Sequence, residues 1–161
     1  MIEKVLLGAG CFWGVEELFK KKEGILSTKV GYSGGETTDP SYSSVCSGTT
    51  GHAEVVLVEF DPALISFENV LDYFFRLHDP TTLNRQHNDI GTQYRSVIFT
   101  YSEEQRLITQ QVIKRINESK YFKNPVVTQV LSAQKFYEAE KYHQDYLQKN
   151  PSGYMCHILR K

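Results

Sequence analysis

The order of strand-like and helix-like segments is the feature that most restricts how this chain can fold. Apolar runs of strand length alternate with apolar residues at three- and four-residue spacing, in the order β-α-β-β-α-β and then α-β-α. The predicted strands span residues 4–7, 25–30, 53–60, 96–101 and 126–131, and the predicted helices span residues 12–19, 67–78, 103–116 and 136–148. The first six segments follow the split β-α-β plan, which packs helices on one face of a sheet.

We therefore predict an α+β fold, a two-layer sandwich whose mixed sheet has a ferredoxin-like core, with extra helices and long loops. Two polar loops, residues 32–51 and 79–94, are long enough to carry functional groups. The chain, residues 1–161, is expected to form a single domain. Residues 149–161 are expected to form a flexible C-terminal tail, because Asn150-Pro151 breaks the last predicted helix.

Composition narrows the class of protein. The 18 basic and 19 acidic residues give a formal net charge of −1, which argues against a nucleic-acid partner. No apolar stretch has the length of a membrane span, so no membrane association is expected. Three cysteines, an odd number, do not form a disulfide framework, which favours a reducing cytoplasmic setting. They show no metal-ligand spacing and the histidines are scattered, so no metal is expected, and nothing demands more than a monomer.

Cys11, in the segment GAGCFWG, is the first candidate for chemistry. It lies where a predicted strand ends and a predicted helix begins. The unpaired N–H groups and the positive end of a helix dipole favour a thiolate at that position. A cysteine there is also compatible with a small buried apolar residue, and Phe12 and Trp13 beside it are compatible with core packing.

Glu54 is the second candidate. By strand alternation it shares a face with Val56, Val58 and Phe60. A carboxyl group on an apolar face is desolvated, which raises its pKa until it can hold a proton near neutrality. The alternative is that Glu54 points to solvent at the edge of the strand.

Six motifs in order make the sequence similar to the A-type peptide-methionine (S)-S-oxide reductase family over essentially its whole length. They are GCFWG at 10–14, GYSGG at 31–35, PSYSSVCSGTTGHAEVV at 40–56, FFRLHDPT at 74–81, NDIGTQYRS at 88–96 and FYEAEKYHQDYL at 136–147. The resemblance implies an oxidoreductase that reduces the S epimer of methionine sulfoxide, protein-bound or free, and so repairs oxidative damage.

The resemblance also implies a role for each matching residue. Cys11 matches the nucleophile that attacks the sulfoxide sulfur, and Glu54 matches the acid that protonates its oxygen, in agreement with the raised pKa expected for this glutamate. Tyr42 and Tyr94 match two tyrosines that hydrogen-bond the same oxygen. Asp89 matches an aspartate near the main chain of the substrate.

The resemblance extends to the pocket and to recycling. Phe12 and Trp13 match an apolar pocket for the methyl group on the substrate sulfur. Attack would leave Cys11 as a sulfenic acid, and Cys156 in the tail matches a recycling cysteine. The tail contains one such cysteine, so we expect a Cys11–Cys156 disulfide that thioredoxin, or dithiothreitol in vitro, reduces with no bound cofactor. Cys46 matches a cysteine with no catalytic role and is expected to be structural.

Two other functions are compatible with a reactive Cys11. The first is a cysteine hydrolase or transferase that pairs Cys11 with His52 or His87. The second is a non-enzymatic redox sensor on the same scaffold. Neither explains why Glu54, two tyrosines and an aromatic pair accompany the cysteine.

Overall fold

The sheet is the centre of the fold. The computed structural model describes residues 1–160. Six strands form one sheet in the order β7-β6-β1-β3-β2-β8, and β4 and β5 form a separate two-stranded ribbon. The strands are β1 Glu3–Ala9, β2 Ile25–Ser33, β3 Ala53–Phe60, β4 Arg85–Gln86, β5 Asp89–Ile90, β6 Ser96–Thr100, β7 Gln129–Ser132 and β8 Tyr137–Glu138.

The four long strands confirm the split β-α-β plan. β1 pairs antiparallel with both β3 and β6, and β3 also pairs antiparallel with β2. β1 and β2 are therefore parallel, and β3 lies between them. β7 adds a parallel partner to β6, which makes the sheet mixed, and β8 extends the opposite edge beside β2.

The two faces of the sheet are covered unequally. Alternate residues of β1 and β3, such as Val5 and Val58, belong to a large core together with the helices. The opposite face carries a small cluster around Leu6, Val55 and Phe99. Because side chains alternate along a strand, the face that holds Val58 also holds Glu54, as the sequence predicts.

Five α-helices accompany the sheet: α1 Phe12–Lys20, α2 Tyr42–Cys46, α3 Phe67–Leu77, α4 Glu103–Ser119 and α5 Tyr146–Lys149. The hydroxyls of Ser66 and Ser102 cap α3 and α4, each accepting a hydrogen bond of 3.1 Å from the backbone N–H three residues on. Two residues separate the end of β1 from the start of α1, so the strand and the helix together fix the position of the segment between them.

The predicted helix over residues 136–148 is wrong. That segment contains β8, a short 3₁₀ turn at Lys141–His143 and most of the four-residue α5. Gln144 is the physical reason: its side-chain oxygen accepts from the N–H of Val30, and its side-chain nitrogen donates to the carbonyl oxygen of the same residue, both at 2.9 Å. These bonds attach the segment to the edge of β2, and they outweigh the helix propensity of FYEAEKYHQDYL.

Two smaller predictions also differ from the structure. The strand expected at 126–131 is β7, displaced toward the C terminus, and the loop expected at 32–51 contains α2. α2 forms because Ser41 and Ser44 hydrogen-bond each other reciprocally as a capping box.

The last residues run over the body of the protein without regular structure. The backbone N–H of Arg160 donates to the carbonyl oxygen of Arg76 in α3 at 2.9 Å. The ring of His157 forms a hydrogen bond with the carbonyl oxygen of Ala9 at the end of β1. Lys161, the last residue of the predicted tail, lies outside the described residues, and the flexibility of residues 149–161 stays a prediction. Within residues 1–160, no helix combines the length and the apolar character that a transmembrane span needs.

Candidate active site

The junction between β1 and α1 holds Cys11. Gly10 has a φ of +93°, a conformation that favours glycine and turns the chain sharply out of β1. Cys11 follows as the N-cap residue of α1. Its side chain is 8% exposed, so the sulfur lies just beneath the surface. The strand-to-helix position expected for Cys11 is confirmed.

Glu54 lies directly beside the nucleophile candidate. Its Oε1 accepts a hydrogen bond of 3.1 Å from the backbone N–H of Phe12, the residue after Cys11. The side chain is 2% exposed, and burial raises the pKa of Glu54 to about 8 against the smaller lowering effect of that hydrogen bond. Glu54 therefore holds a proton at neutral pH. The solvent-facing alternative is wrong.

The pKa of Cys11 differs from the sequence-based expectation. The N–H of Trp13 does lower it, as a helix N-terminus should. However, burial raises the pKa of Cys11 far more, and the negative charge that Glu54 carries once it ionises above neutral pH adds to that increase. Without substrate, the site therefore contains a thiol rather than a thiolate, beside a carboxylic acid.

Tyr42 and Tyr94 reach the same region from different loops. Tyr42 is the first residue of α2, and Tyr94 ends a 3₁₀ turn at Thr92–Tyr94. Burial raises the pKa of both hydroxyls, and the nearby Glu54 charge raises it further. The Cys46 thiol, on the exposed residue that ends α2, neighbours both hydroxyls. The two tyrosines, which are far apart in sequence, thus lie together at Cys46 and within range of the Glu54 charge.

The aromatic pair beside Cys11 divides into a buried ring and a partly exposed one. Phe12 has no exposed surface, and its ring lies 5.7 Å from that of Tyr32. Trp13 is partly exposed, and its indole stacks on Tyr146 with ring centroids 3.8 Å apart. Trp13 is therefore the member of the pair that presents surface to a ligand, while Phe12 packs beneath it.

His143 and Glu140 support the aromatic residues, and sequence reasoning missed both. The Trp13 indole N–H donates to Nδ1 of His143 at 2.9 Å. Glu140 accepts from the Tyr32 hydroxyl at 2.9 Å and from the backbone N–H of Tyr42 at 3.0 Å. The four-residue spacing of Glu140 and Gln144 is the sequence feature that could have indicated a supporting role for this segment. The same spacing is also typical of an exposed helix face.

Asp89 contacts the tail. Its Oδ2 accepts from the Tyr154 hydroxyl at 3.2 Å, and the Cys156 thiol lies 3.6 Å from the same oxygen. Both Asp89 and Cys156 are close enough for their negative charges to raise the pKa of Cys11, after the larger effects of burial and Glu54. Cys156, the predicted recycling thiol, thus lies in the same region as Cys11, the predicted nucleophile.

The histidines proposed as bases for a hydrolase do not support that alternative. Nδ1 of His52 accepts from the N–H of Gly35 at 2.9 Å, and Nε2 lies 2.7 Å from the carbonyl oxygen of Thr37. Both ring nitrogens are thus engaged by the backbone. His87 is exposed on the loop between β4 and β5. In residues 1–160 no group of three or more His, Cys, Asp or Glu side chains has an arrangement suited to a metal ion.

Comparisons with known proteins agree with this geometry. A family model described as peptide methionine sulfoxide reductase matches residues 3–161. The peptide methionine sulfoxide reductase MsrA of Methanothermobacter thermautotrophicus is 53% identical over 158 residues, which cover 98% of this chain and 93% of that protein.

Two solved structures of a yeast relative are also similar. Mxr1 from Saccharomyces cerevisiae in reduced form is 40% identical, with a TM-score of 0.94 over 99% of this chain and 93% of that one. Mxr1 in complex with Trx2 is 27% identical, with a TM-score of 0.69 over 99% of this chain and 91% of that one. The chain belongs to the peptide methionine sulfoxide reductase family, and it is an oxidoreductase.

Proposed function

We propose that this protein reduces the S epimer of methionine sulfoxide through Cys11, with Glu54 as the acid and Cys156 as the recycling thiol. The observation that carries the proposal is the hydrogen bond from the N–H of Phe12 to Glu54, because it holds a protonated carboxyl group beside the Cys11 sulfur. Family membership supports methionine sulfoxide as the substrate.

In the first step, the Cys11 sulfur attacks the sulfoxide sulfur while negative charge develops on the sulfoxide oxygen. One Glu54 oxygen is bonded to the N–H of Phe12, so the other is available to carry a proton to the sulfoxide oxygen. The hydroxyls of Tyr42 and Tyr94 stabilise the same charge as hydrogen-bond donors. The oxygen ends on Cys11 as a sulfenic acid, and methionine leaves.

Substrate binding allows Cys11 to react as a nucleophile despite its high pKa in the free enzyme. Proton donation from Glu54 to the sulfoxide oxygen places positive character on the sulfoxide sulfur and leaves a carboxylate that can accept the Cys11 thiol proton. The positive sulfur favours negative charge on the Cys11 sulfur as it attacks, since opposite charges nearby stabilise the charged form. The nucleophile is therefore activated by the bound sulfoxide rather than before it binds.

The methyl group on the substrate sulfur would contact Trp13, with Phe12 as the packed layer below. Asp89 would bind the main chain of the substrate. Because Asp89 also accepts from Tyr154, substrate and tail share this carboxylate. Free methionine S-sulfoxide and oxidised proteins or peptides both offer the sulfoxide and main-chain groups that this site needs.

Recycling follows by formation of a Cys11–Cys156 disulfide, which thioredoxin reduces by thiol–disulfide exchange. The similarity to Mxr1 in complex with Trx2 supports this partner. A single domain with a tail that moves during recycling, acting as a monomer without a bound cofactor, belongs to the same proposal. So does a cytoplasmic setting, because a disulfide that must be reduced in each cycle needs a reducing compartment.

The test is mass analysis of methionine formed from each separated epimer of methionine sulfoxide, with dithiothreitol as reductant. We expect methionine from the S epimer and a negligible yield from the R epimer. Equal yields from both epimers would contradict the predicted pocket, and no methionine from either would overturn the proposed reaction.

A further inference from the structure

His157 fits between the two glycines that flank Cys11 at residues 10 and 14. A Cβ atom on Gly10 would lie 3.4 Å from Nε2 of His157, and a Cβ atom on Gly14 would overlap the same ring. The ring is 3% exposed. Gly14 therefore makes room for a side chain of the tail, whereas at Gly10 the contact with the ring would be an ordinary one.

The hydrogen bonds of His157 define its tautomer. Nε2 lies 2.6 Å from the carbonyl oxygen of Ala9, the last residue of β1. A carbonyl oxygen only accepts, so Nε2 carries the proton. Burial lowers the pKa of His157, which keeps the ring neutral at neutral pH and leaves a lone pair on Nδ1.

That lone pair faces the recycling thiol. Nδ1 of His157 lies 3.5 Å from Sγ of Cys156. Resting on the proposed function, we infer that His157 is the catalytic base of the recycling step, which removes the proton of Cys156 as its sulfur attacks oxidised Cys11. The bond to Ala9 orients the ring, as the third group of a catalytic triad orients its base.

The step balances without another reactant. The Cys156 sulfur forms a bond to the Cys11 sulfur, and the S–O bond of the sulfenic acid breaks. The thiol proton passes to Nδ1 of His157 and then to the departing hydroxide, which leaves as water. Cys11 in the sulfenic state is reduced and Cys156 is oxidised, and the product is the disulfide.

Burial makes such a base necessary. It raises the pKa of Cys156 to about 11, and the nearby charge of Asp89 adds to the increase. Very little thiolate would thus exist at neutral pH without a proton acceptor. Asp89 also lies within reach of the thiol, but an imidazole is ordinarily a stronger base than a carboxylate and is better matched to neutral pH.

The charged and titratable groups around the His157 ring come from three elements. Cys156 precedes it in the tail, His87 and Asp89 face it from the β4–β5 ribbon, and His78 lies after α3. His87 disfavours a positive charge on the ring and Asp89 favours one. Asp89 thereby stabilises the imidazolium that forms in the step.

The test is His157→Gln in the full-length enzyme, because a glutamine amide can still donate to Ala9 but has no basic nitrogen. After mixing with methionine S-sulfoxide, methionine release and loss of the Cys11 and Cys156 thiols are followed separately. We expect about one methionine per enzyme at the wild-type rate, followed by disulfide formation that is slower on the order of 100-fold. The slow step should also lose the pH dependence that titration of His157 gives the wild type.

His87→Asn is the matched control, because it removes a neighbouring exposed imidazole at a φ of +52° that asparagine tolerates. It is expected to form the disulfide at no less than the wild-type rate, because removal of His87 can only favour positive charge on the His157 ring. Wild-type disulfide formation and pH profile in His157→Gln would overturn the inference while leaving the proposed function intact. If His157→Gln lost the methionine burst while His87→Asn and the wild type kept it, the inference would also be overturned, because His157 would then act in the first step. A wild type without a burst would instead refute the proposed function.

Discussion

Cys11 and Cys156 are held in neighbouring positions by different means. Cys11 lies between a central strand and the helix that follows it, so the backbone of the whole sheet determines where its sulfur is. Cys156 lies on an irregular segment whose position depends on a few side-chain contacts, among them Tyr154 with Asp89 and His157 with Ala9. The difference suits the two proposed roles, since a nucleophile needs a fixed site and a recycling thiol must be able to move.

The largest expected effect is that of Cys11→Ser. A serine hydroxyl is a far weaker nucleophile toward sulfur, so the methionine burst should fall by roughly 1,000-fold or more. Cys46→Ser is the control, because a serine hydroxyl keeps a hydrogen-bonding group beside Tyr42 and Tyr94 and should leave the burst close to wild type. Burst activity close to wild type in Cys11→Ser would falsify the assignment of the nucleophile.

Cys156→Ser tests the other half of the comparison. It should release about one methionine per enzyme and then stop with thioredoxin as reductant, because the sulfenic acid has no internal thiol to attack it. The quantities to measure are the burst amplitude and the steady-state rate. If thioredoxin-dependent turnover remained normal, another thiol, such as Cys46, would have to carry out recycling.

Glu54→Gln removes the acid and keeps the acceptor for the N–H of Phe12. The burst should slow on the order of 100-fold, because an amide is a poor proton donor. The rate of methionine release in a single turnover at neutral pH measures this effect. An unchanged rate would exclude Glu54 as the acid.

The same variant provides a test that is independent of catalysis. The pKa of Glu54 rises from its ordinary 4.5 to about 8 on folding because of burial. The unfolded chain thus releases this proton at lower pH than the folded chain does. As pH rises from about 4.5 to about 8, the contribution of this group lowers the free energy of unfolding by roughly 5 kcal/mol. The Tm of Glu54→Gln relative to wild type should therefore increase from pH 5 to pH 8, and a constant difference would contradict a buried acid.

Gly14→Ala should have the smallest effect. Alanine favours the helix by about 1 kcal/mol, but its methyl group would overlap the His157 ring and lie 3.0 Å from the Met155 sulfur. The first step should be nearly unchanged, whereas disulfide formation should slow about tenfold. Glu17→Ala, in the same helix, is the control. Equal rates of disulfide formation in both variants would show that recycling does not depend on the space that Gly14 leaves for the His157 ring.

The sequence predicts the rigid region better than the contacts around it. Glu54 was identifiable because strand alternation places it on the core face, and Cys11 because the strand-to-helix transition is marked by glycines. The pKa of Cys11 was not predictable from the helix dipole alone, since its largest cause is the burial of the sulfur by the folded chain. Enclosure is a property of tertiary structure.

Residues 136–160 show why the other contacts around the site could not be predicted from the sequence. Glu140, His143 and Gln144 occur in a segment with good helix formers, yet each forms a hydrogen bond to a residue more than 90 positions away. His157 belongs to no periodic pattern, and its ring fits against α1 because Gly14 has no side chain. Local patterns do not encode such long-range contacts.

The protonated resting state of Cys11 has a consequence for chemical selectivity. Peroxides and alkylating agents react with thiolates and only slowly with thiols. An enzyme that works where oxidants are abundant would be inactivated quickly if its nucleophile were always ionised. Because burial raises the pKa of Cys11, we expect its sulfur to stay protonated without substrate and to react slowly with stray oxidants. Slow modification of Cys11 by iodoacetamide at neutral pH is the corresponding observation, and rapid modification would contradict it.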